Sequence, residues 1–460
     1  MTDHVLPPKP SNEIKTLRKI GYSLETSIAD ILDNSITAKS KKIEIEIPYS
    51  DQCEPYISIK DDGAGMSKEE LIENMRLGCK DPDQEREPGD LGRFGSGMKT
   101  ASFSQAKKLI VISKVKGKPP NAAIWDIERI EKENEWILET LAGKELSKIS
   151  HLKINKDTKS GTQVLWLNID RYEKVSHGSH HNLEQELVKD IVNIKRAIAV
   201  FFHRFIKVEQ EDKKDINKIK VIVNGDEIEA IDPFMRDCKG YQWSGDDVII
   251  GREGKTFIAI HNVPHPDKLK KQELDDIGGV EFYNSRQGFY IYRDKRLMIE
   301  GDWLGTHAAG VLGNRARVQV DMPSSMDHIW GTDVKKASFQ FPPQVMHKFR
   351  TLSRKATNVS KRDYKRRSKT TGVINDYWDI IEDPQKNTTE YRINLTNWLL
   401  KEISRGLNKE NREKLAQFLT NLAKYLPLKH ILFSMGNNPK DVNKASVNWR
   451  ELLNKLTESE

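Results

Sequence analysis

Apolar and polar residues alternate along three stretches of the first half of the chain, KKIEIEI (41–47), YISIK (56–60) and TQVLWL (162–167). A period of two puts every second side chain on one face, so each stretch predicts a β-strand. Between them the period lengthens. In SLETSIADILDNSITAKS (23–40) Leu24, Ile28, Ile31, Leu32 and Ile36 recur at helical spacing, and HNLEQELVKDIVNIKRAIAVFFHRF (181–205) repeats the pattern at Leu187, Ile191, Ile194, Ile198 and Phe201. Both predict amphipathic helices. Residues 1–215 therefore read as an α/β domain closed by the second helix.

A second strand-rich part, 216–347, opens at KIKVIVNGDEIEAI (218–231), where Asn-Gly between β-rich runs signals a hairpin. It continues through GFYIYRDKRLMIEGDWLG (288–305) and RARVQVDMP (315–323). Over 348–460 the texture changes again. Lys348, Arg350, Arg354, Lys355, Lys361, Arg362, Lys365, Arg366, Arg367 and Lys369 stand against one acid, Asp363, with Phe349 and Tyr364 as apolar faces among them. Beyond this run, RINLTNWLLKEISRGL and ENREKLAQFLTNLAKYL predict two amphipathic helices.

Composition narrows the class. With 460 residues, 37% hydrophobic and 31% charged, the chain is long enough for two or three packed domains and too apolar for disorder. No run reaches the roughly 20 apolar residues of a spanning helix, and the first residues lack a secretory leader's apolar core. Cys53, Cys79 and Cys238 form no CxxC pair, so neither a disulfide framework nor a zinc knuckle is expected. These features point to a reducing cytoplasmic location without a membrane partner. The net charge of +7 permits nucleic-acid binding without demanding it.

Three segments carry candidate chemistry. On the first helix Asp30 and Asn34 lie four residues apart, one above the other. A carboxylate and an amide so placed can orient a water and hold a hard cation, although an ordinary solvated acidic face has the same spacing. KDDGAGMS (60–67) follows a strand, with Gly63 and Gly65 allowing a tight turn against a ligand and Asp61 able to accept from an amino group. An Asp-Gly turn alone reads the same way. In GDLGRFGSGMKTAS (89–102), Gly92, Gly95 and Gly97 lead into a helix whose free N–H groups suit phosphate oxygens, and Lys99 adds a charge.

Other nucleotide fingerprints fail. Lys68 and Thr100 occupy the positions where a third dinucleotide-type glycine belongs, and GREGKT (251–256) has Ile249 in place of a P-loop's first glycine. His177, His180 and His181 read as a solvated loop, and Pro264 separates His261 from His265, so zinc is not expected.

In this order, ADILDNSITAKS, IKDDGAGMS, DLGRFGSGMKTASFS and SGTQVLW resemble the Bergerat ATP site of the GHKL superfamily, which includes gyrase B, MutL and MORC proteins. The resemblance covers about residues 1–170. It implies an α/β (α+β) Bergerat ATP-binding sandwich, then a transducer domain of ribosomal-protein-like β-α type and a helical C-terminal region. Carried over by position, Asn34 would coordinate Mg²⁺, Asp61 would read the adenine amino group, and Gly63 and Gly65 would shape the adenine side, supported by Thr162. Gly92, Gly95, Gly97 and Lys99 would wrap the phosphates. Met66, Phe94, Ser96 and Met98 complete the cofactor-binding set.

Hydrolysis would fall to Asp30, where most ATPases of the superfamily carry glutamate. The missing methylene implies slow turnover. Thr37 stands where the pattern often has an acid. In the transducer, VKKASFQFP (334–342) would supply Lys336 to the terminal phosphate. The resemblance also implies a homodimer formed on ATP binding. The basic run 348–369 reads either as a nucleic-acid phosphate contact or as an exposed linker or helix face paired with acids elsewhere; in the first case the dimer would act on double-stranded DNA, in genome maintenance or defence against foreign DNA. A chaperone-like protein gating a protein client is the alternative, with the C-terminal helices open to a protein partner.

Overall fold

The computed structural model describes residues 3–4, 6, 8–19, 21–48, 54–78, 97–170, 172, 180–207, 218–251, 254–310, 313–326, 341–367, 377–383 and 388–424. Two large sheets and a two-stranded hairpin organise them.

The first sheet contains β1 (Lys42–Glu46), β2 (Ile57–Asp61), β3 (Ala106–Lys114), β4 (Asn121–Asp126), β5 (Glu139–Ala142), β6 (Gly161–Ile169), β7 (Lys220–Val223) and β8 (Asp226–Glu227). Their order is β5-β4-β3-β6-β2-β1-β7-β8. All neighbouring pairs are antiparallel except β1 with β7. Around the sheet lie α1 (Pro10–Arg18), α2 (Leu24–Thr37), α3 (Lys68–Met75), α4 (Gly97–Gln105), α5 (Ile127–Glu133) and α6 (His180–Phe201).

Strand β3 shows why the sheet is buried on both faces. Leu109 and Val111 join a core with Ile28 and Ile31 of α2 and Ile191 and Ile194 of α6. Ile110 and Ile112 point the other way, into a smaller core with Leu141, Leu146, Ile149 and Ile154. Period two within a continuous apolar run thus feeds two cores.

Helix α6 forms as its periodicity predicts, ending at Phe201 before a one-turn helix, His203–Ile206. The hairpin at 218–231 departs from the expected boundary. Lys220–Val223 pairs in parallel with Lys42–Ile45, so it extends the first sheet instead of opening the second. Its alternating Val221 and Val223 are fully buried in the first core, and this burial fixes the allegiance.

The second sheet holds β9 (Gln242–Gly251), β10 (Gly254–Asn262), β11 (Gly288–Arg293), β12 (Arg296–Asp302) and β13 (Ala316–Met322), in the order β12-β11-β13-β10-β9. Of GREGKT, Gly251 pairs with Gly254 across β9 and β10. Phe289 and Ile291 face α7 (Pro343–Arg367), where Phe349, Leu352 and Ala356 are buried. Phe349 stacks on Phe289 with centroids 4.4 Å apart. It is a core residue, contrary to its reading as an apolar face among the cations, because a helix packed on a sheet must bury one stripe. Tyr290 and Tyr292 look to the opposite side, toward Val200 and Phe234.

At the C-terminal end, β14 (Trp378–Asp383) and β15 (Thr388–Ile393) form a hairpin before α8 (Trp398–Gly406) and α9 (Lys409–Lys424). Arg392 and Ile393 are therefore strand residues, and the first predicted helix starts later, where Asn397 caps it. No helix among the described residues is long and apolar enough to cross a membrane.

Candidate functional site

Ser23 starts α2 by accepting from Thr26 N, and its apolar stripe, Leu24, Ile28, Ile31, Leu32 and Ile36, is buried. That stripe turns one side of the helix to the core. Asp30, beside the start of α4, is buried, while Asn34, one turn later, is exposed.

The last residue of β2 is the point where three elements meet. Asp61 Oδ1 accepts from Gly63 N at 2.9 Å and Thr162 N at 3.2 Å, and Oδ2 accepts from Ser35 Oγ at 3.0 Å. One carboxylate thereby joins α2, the turn after β2 and the start of β6. Burial pushes the Asp61 carboxyl above its ordinary value, and the three donors oppose that rise.

Glycine is required where backbones meet here. Gly161 has φ of 140°, and a Cβ on it would lie 2.1 Å from Asp61 O; Gly65 has φ of 73°, and a Cβ there would lie 2.0 Å from Lys114 O. Ser113 completes the junction. Its hydroxyl accepts from Met66 N at 2.8 Å and lies 2.9 Å from Thr162 Oγ1.

Helix α4 begins beside Asp30, since a Cβ on Gly97 would sit 3.4 Å from Asp30 Oδ2. Met98 is partly buried against the core. Lys99 is almost fully buried, and its Nζ donates to Asn74 O at 2.6 Å, near the end of α3. Its ammonium therefore lies at a helix C-terminal carbonyl, which a cation stabilises, and ties α3 to α4. Gly92, Phe94, Gly95, Ser96 and Lys336 lie outside the described residues.

Residues 22–162 match the family of histidine kinase-, DNA gyrase B-, and HSP90-like ATPases. Over this segment the chain is similar to the GHKL ATPases. The matched GHKL segment runs from the residue before the cap of α2 to Thr162, and so takes in Asp30, Asn34, Asp61 and the glycines around them. Over 92 residues, 20% of this chain, it is 26% identical to ATPase morc-1 of Caenorhabditis elegans. That match spans 10% of the relative's length.

Two contributors to the GHKL-type site escape motif reading. Ser35 and Ser113 bond to Asp61 and Met66, while Gly161, the glycine of SGTQVLW, lies against the Asp61 backbone. A hydroxyl ending the apolar run LIVIS was the available signal for Ser113.

The raised Asp61 value sets a pH dependence. An ionised carboxylate accepts from an amino donor through either oxygen, whereas protonation weakens the acceptor and turns one oxygen into a donor. Where Asp61 accepts from an adenine amino group, as the resemblance implies, nucleotide affinity is expected to fall on acidification, beginning above the ordinary aspartate value of 3.8. Apo stability runs oppositely. Asp61 contributes most when protonated, and this contribution is lost as pH rises through its folded value. Calorimetric titration across pH 4–7 checks the first part, and affinity flat over that range would contradict it.

Proposed function

We propose that this chain binds Mg-ATP between α2, the end of β2 and the start of α4, hydrolyses it slowly, and switches conformation with nucleotide state. The observation that carries this reading is the Asp61 carboxylate, buried and oriented by three donors beside backbone that tolerates only glycine. Oδ2 retains acceptor capacity beyond Ser35, enough for the adenine amino group.

The terminal phosphates would lie toward the N-terminus of α4, where the helix dipole favours anions. The exposed Asn34 amide oxygen has the chemistry to hold Mg²⁺, which when bound neutralises phosphate charge. Asp30 would take a proton from the water that attacks the terminal phosphorus as the bond to the leaving oxygen breaks, giving ADP and phosphate. Its short side chain makes the reach to that water the limiting geometry.

In the fuller reading, ATP pairs two copies, the second sheet acts as a transducer with Lys336 on the terminal phosphate, and the pair holds double-stranded DNA. Helix α7 supports the DNA part: Arg350, Arg354 and Lys355 are exposed, opposite the stripe that Phe349 and Leu352 bury. Phosphate contact needs such a cationic face and no base reading. The protein-client reading draws on the C-terminal region, where Leu395, Trp398 and Phe418 are exposed.

Sizing chromatography with Mg-ADP or a non-hydrolysable Mg-ATP analogue, with and without duplex DNA, tests the scheme. The expected result is a dimer with the analogue alone, and DNA co-elution that disappears at raised salt. Each phosphate contact should contribute about −0.9 to the slope of log K against log salt. Absence of DNA binding at low salt would favour the protein-client reading.

A further inference from the structure

The second sheet touches the site helix itself. In β12, Arg296 follows a two-residue turn in which Asp294 and Lys295 have φ of 45° and 73°, the left-handed pair that matches the twist of a tight hairpin. Asp294 N donates to Met322 O at 3.2 Å, and Asp294 Oδ1 accepts from Ser324 N at 3.1 Å, so the hairpin tip is pinned to the end of β13. From this tip Arg296 Nε donates to Asp33 Oδ1 at 3.1 Å.

Asp33 is the residue of α2 that precedes Asn34, three after Asp30. Its side chain is 1% exposed and that of Arg296 is 7%. The guanidinium lies 4.3 Å from the Phe202 centroid and 5.0 Å from that of Phe201, which hold it in place and exclude water. Two other pairs bridge the same units, Arg196 with Glu300 and Arg204 with Asp321, each at 2.6 Å. Both are more exposed than the Asp33 pair, and neither reaches α2.

We infer that Arg296 is a positioning residue for the nucleotide site: through Asp33 it fixes the rotation of the α2 turn that presents Asp30 and Asn34. The lever is short. Side chains ride roughly 5–6 Å from a helix axis, so a turn of about 10° displaces them by about 1 Å. A shift of that size costs about a hundredfold at a reacting centre. At the adenine end two of the three bonds to Asp61 come from outside α2, from Gly63 N and Thr162 N on Oδ1, and only the third comes from Ser35 on α2. Loss of Arg296 should therefore disturb the metal and phosphate end far more than the adenine end.

The inference rests on the proposed Mg-ATP reading. Its test uses the full chain, with ADP as probe, titrated calorimetrically with and without Mg²⁺, and melting followed without nucleotide. Arg296→Lys keeps the charge but loses the planar fork; Asp33→Asn approaches the same contact from α2, should the first variant fold poorly. Both are expected to lower the affinity gained from Mg²⁺ at least tenfold while Mg²⁺-free affinity stays within about threefold. The double variant should lose no more than the worse single one, since both break one contact. An unchanged Mg²⁺ gain overturns the inference, and so does an equal fall with and without Mg²⁺, which marks a merely structural pair. A wild-type chain that binds no ADP overturns the reading of the site itself, and the inference with it.

Discussion

Asp61→Asn is expected to lower adenine-nucleotide affinity by roughly a hundredfold or more, because a site built around one hydrogen bond is left with mismatched buried groups when the partner changes. In the wild type both carboxylate oxygens accept, Oδ1 from two backbone N–H groups and Oδ2 from Ser35. The amide can keep its oxygen toward Gly63 and Thr162, and its NH₂ then stands where Oδ2 was. Two donors would meet at the adenine amino group. Stability should move far less, since charge-assisted bonds of about 1.5–3 kcal/mol each are weakened while the burial of a charge is relieved. Calorimetry with ADP and a melting curve without it separate the two effects. Affinity within threefold of wild type would remove Asp61 from the adenine contact.

Asp30→Asn should abolish most hydrolysis and keep binding. General-base groups contribute about 10²- to 10⁴-fold, so phosphate release is expected to drop by that range while analogue affinity stays within a few-fold. The buried carboxylate beside Gly97 gives this its geometry. Asp30→Glu is a sharper probe of reach: with only 3.4 Å between Oδ2 and a Cβ position on Gly97, the longer side chain must turn toward the nucleotide or displace α4. A gain in turnover would show that the native acid stands short of its water. Equal phosphate release by wild type and Asp30→Asn would instead place the base elsewhere.

Local pattern made much of this legible. The stripe Leu24, Ile28, Ile31, Leu32 and Ile36 is buried as its spacing predicts, whereas Asp30 and Asn34 share a face and differ because the start of α4 lies beside the first. What local pattern could not carry was partnership. Nothing within KIKVIV says that it pairs with KIEI far earlier in the chain, because a strand's period names its faces and not its neighbour. Phe349 looked like one aromatic among cations because charge density hid the buried stripe beneath it. Arg296 reads as one more basic residue in RDKR until the fold brings it to Asp33. Likewise Ser35 and Ser113 are small hydroxyls whose value depends on a carboxylate and a backbone N–H supplied from elsewhere.

The parallel pairing of Lys42–Ile45 with Lys220–Val223 also sets a timetable for the newborn chain. Ribosomes add about 5–20 residues each second, so β1 emerges roughly 10–35 s before the strand that will cover its outer side. During that interval its unpaired edge is open to strands of neighbouring nascent chains, with Lys42, Glu44 and Glu46 as the charges that discourage such pairing. Closure across so long a loop is slow by its nature, and a chain cut at residue 215 would never leave that vulnerable interval.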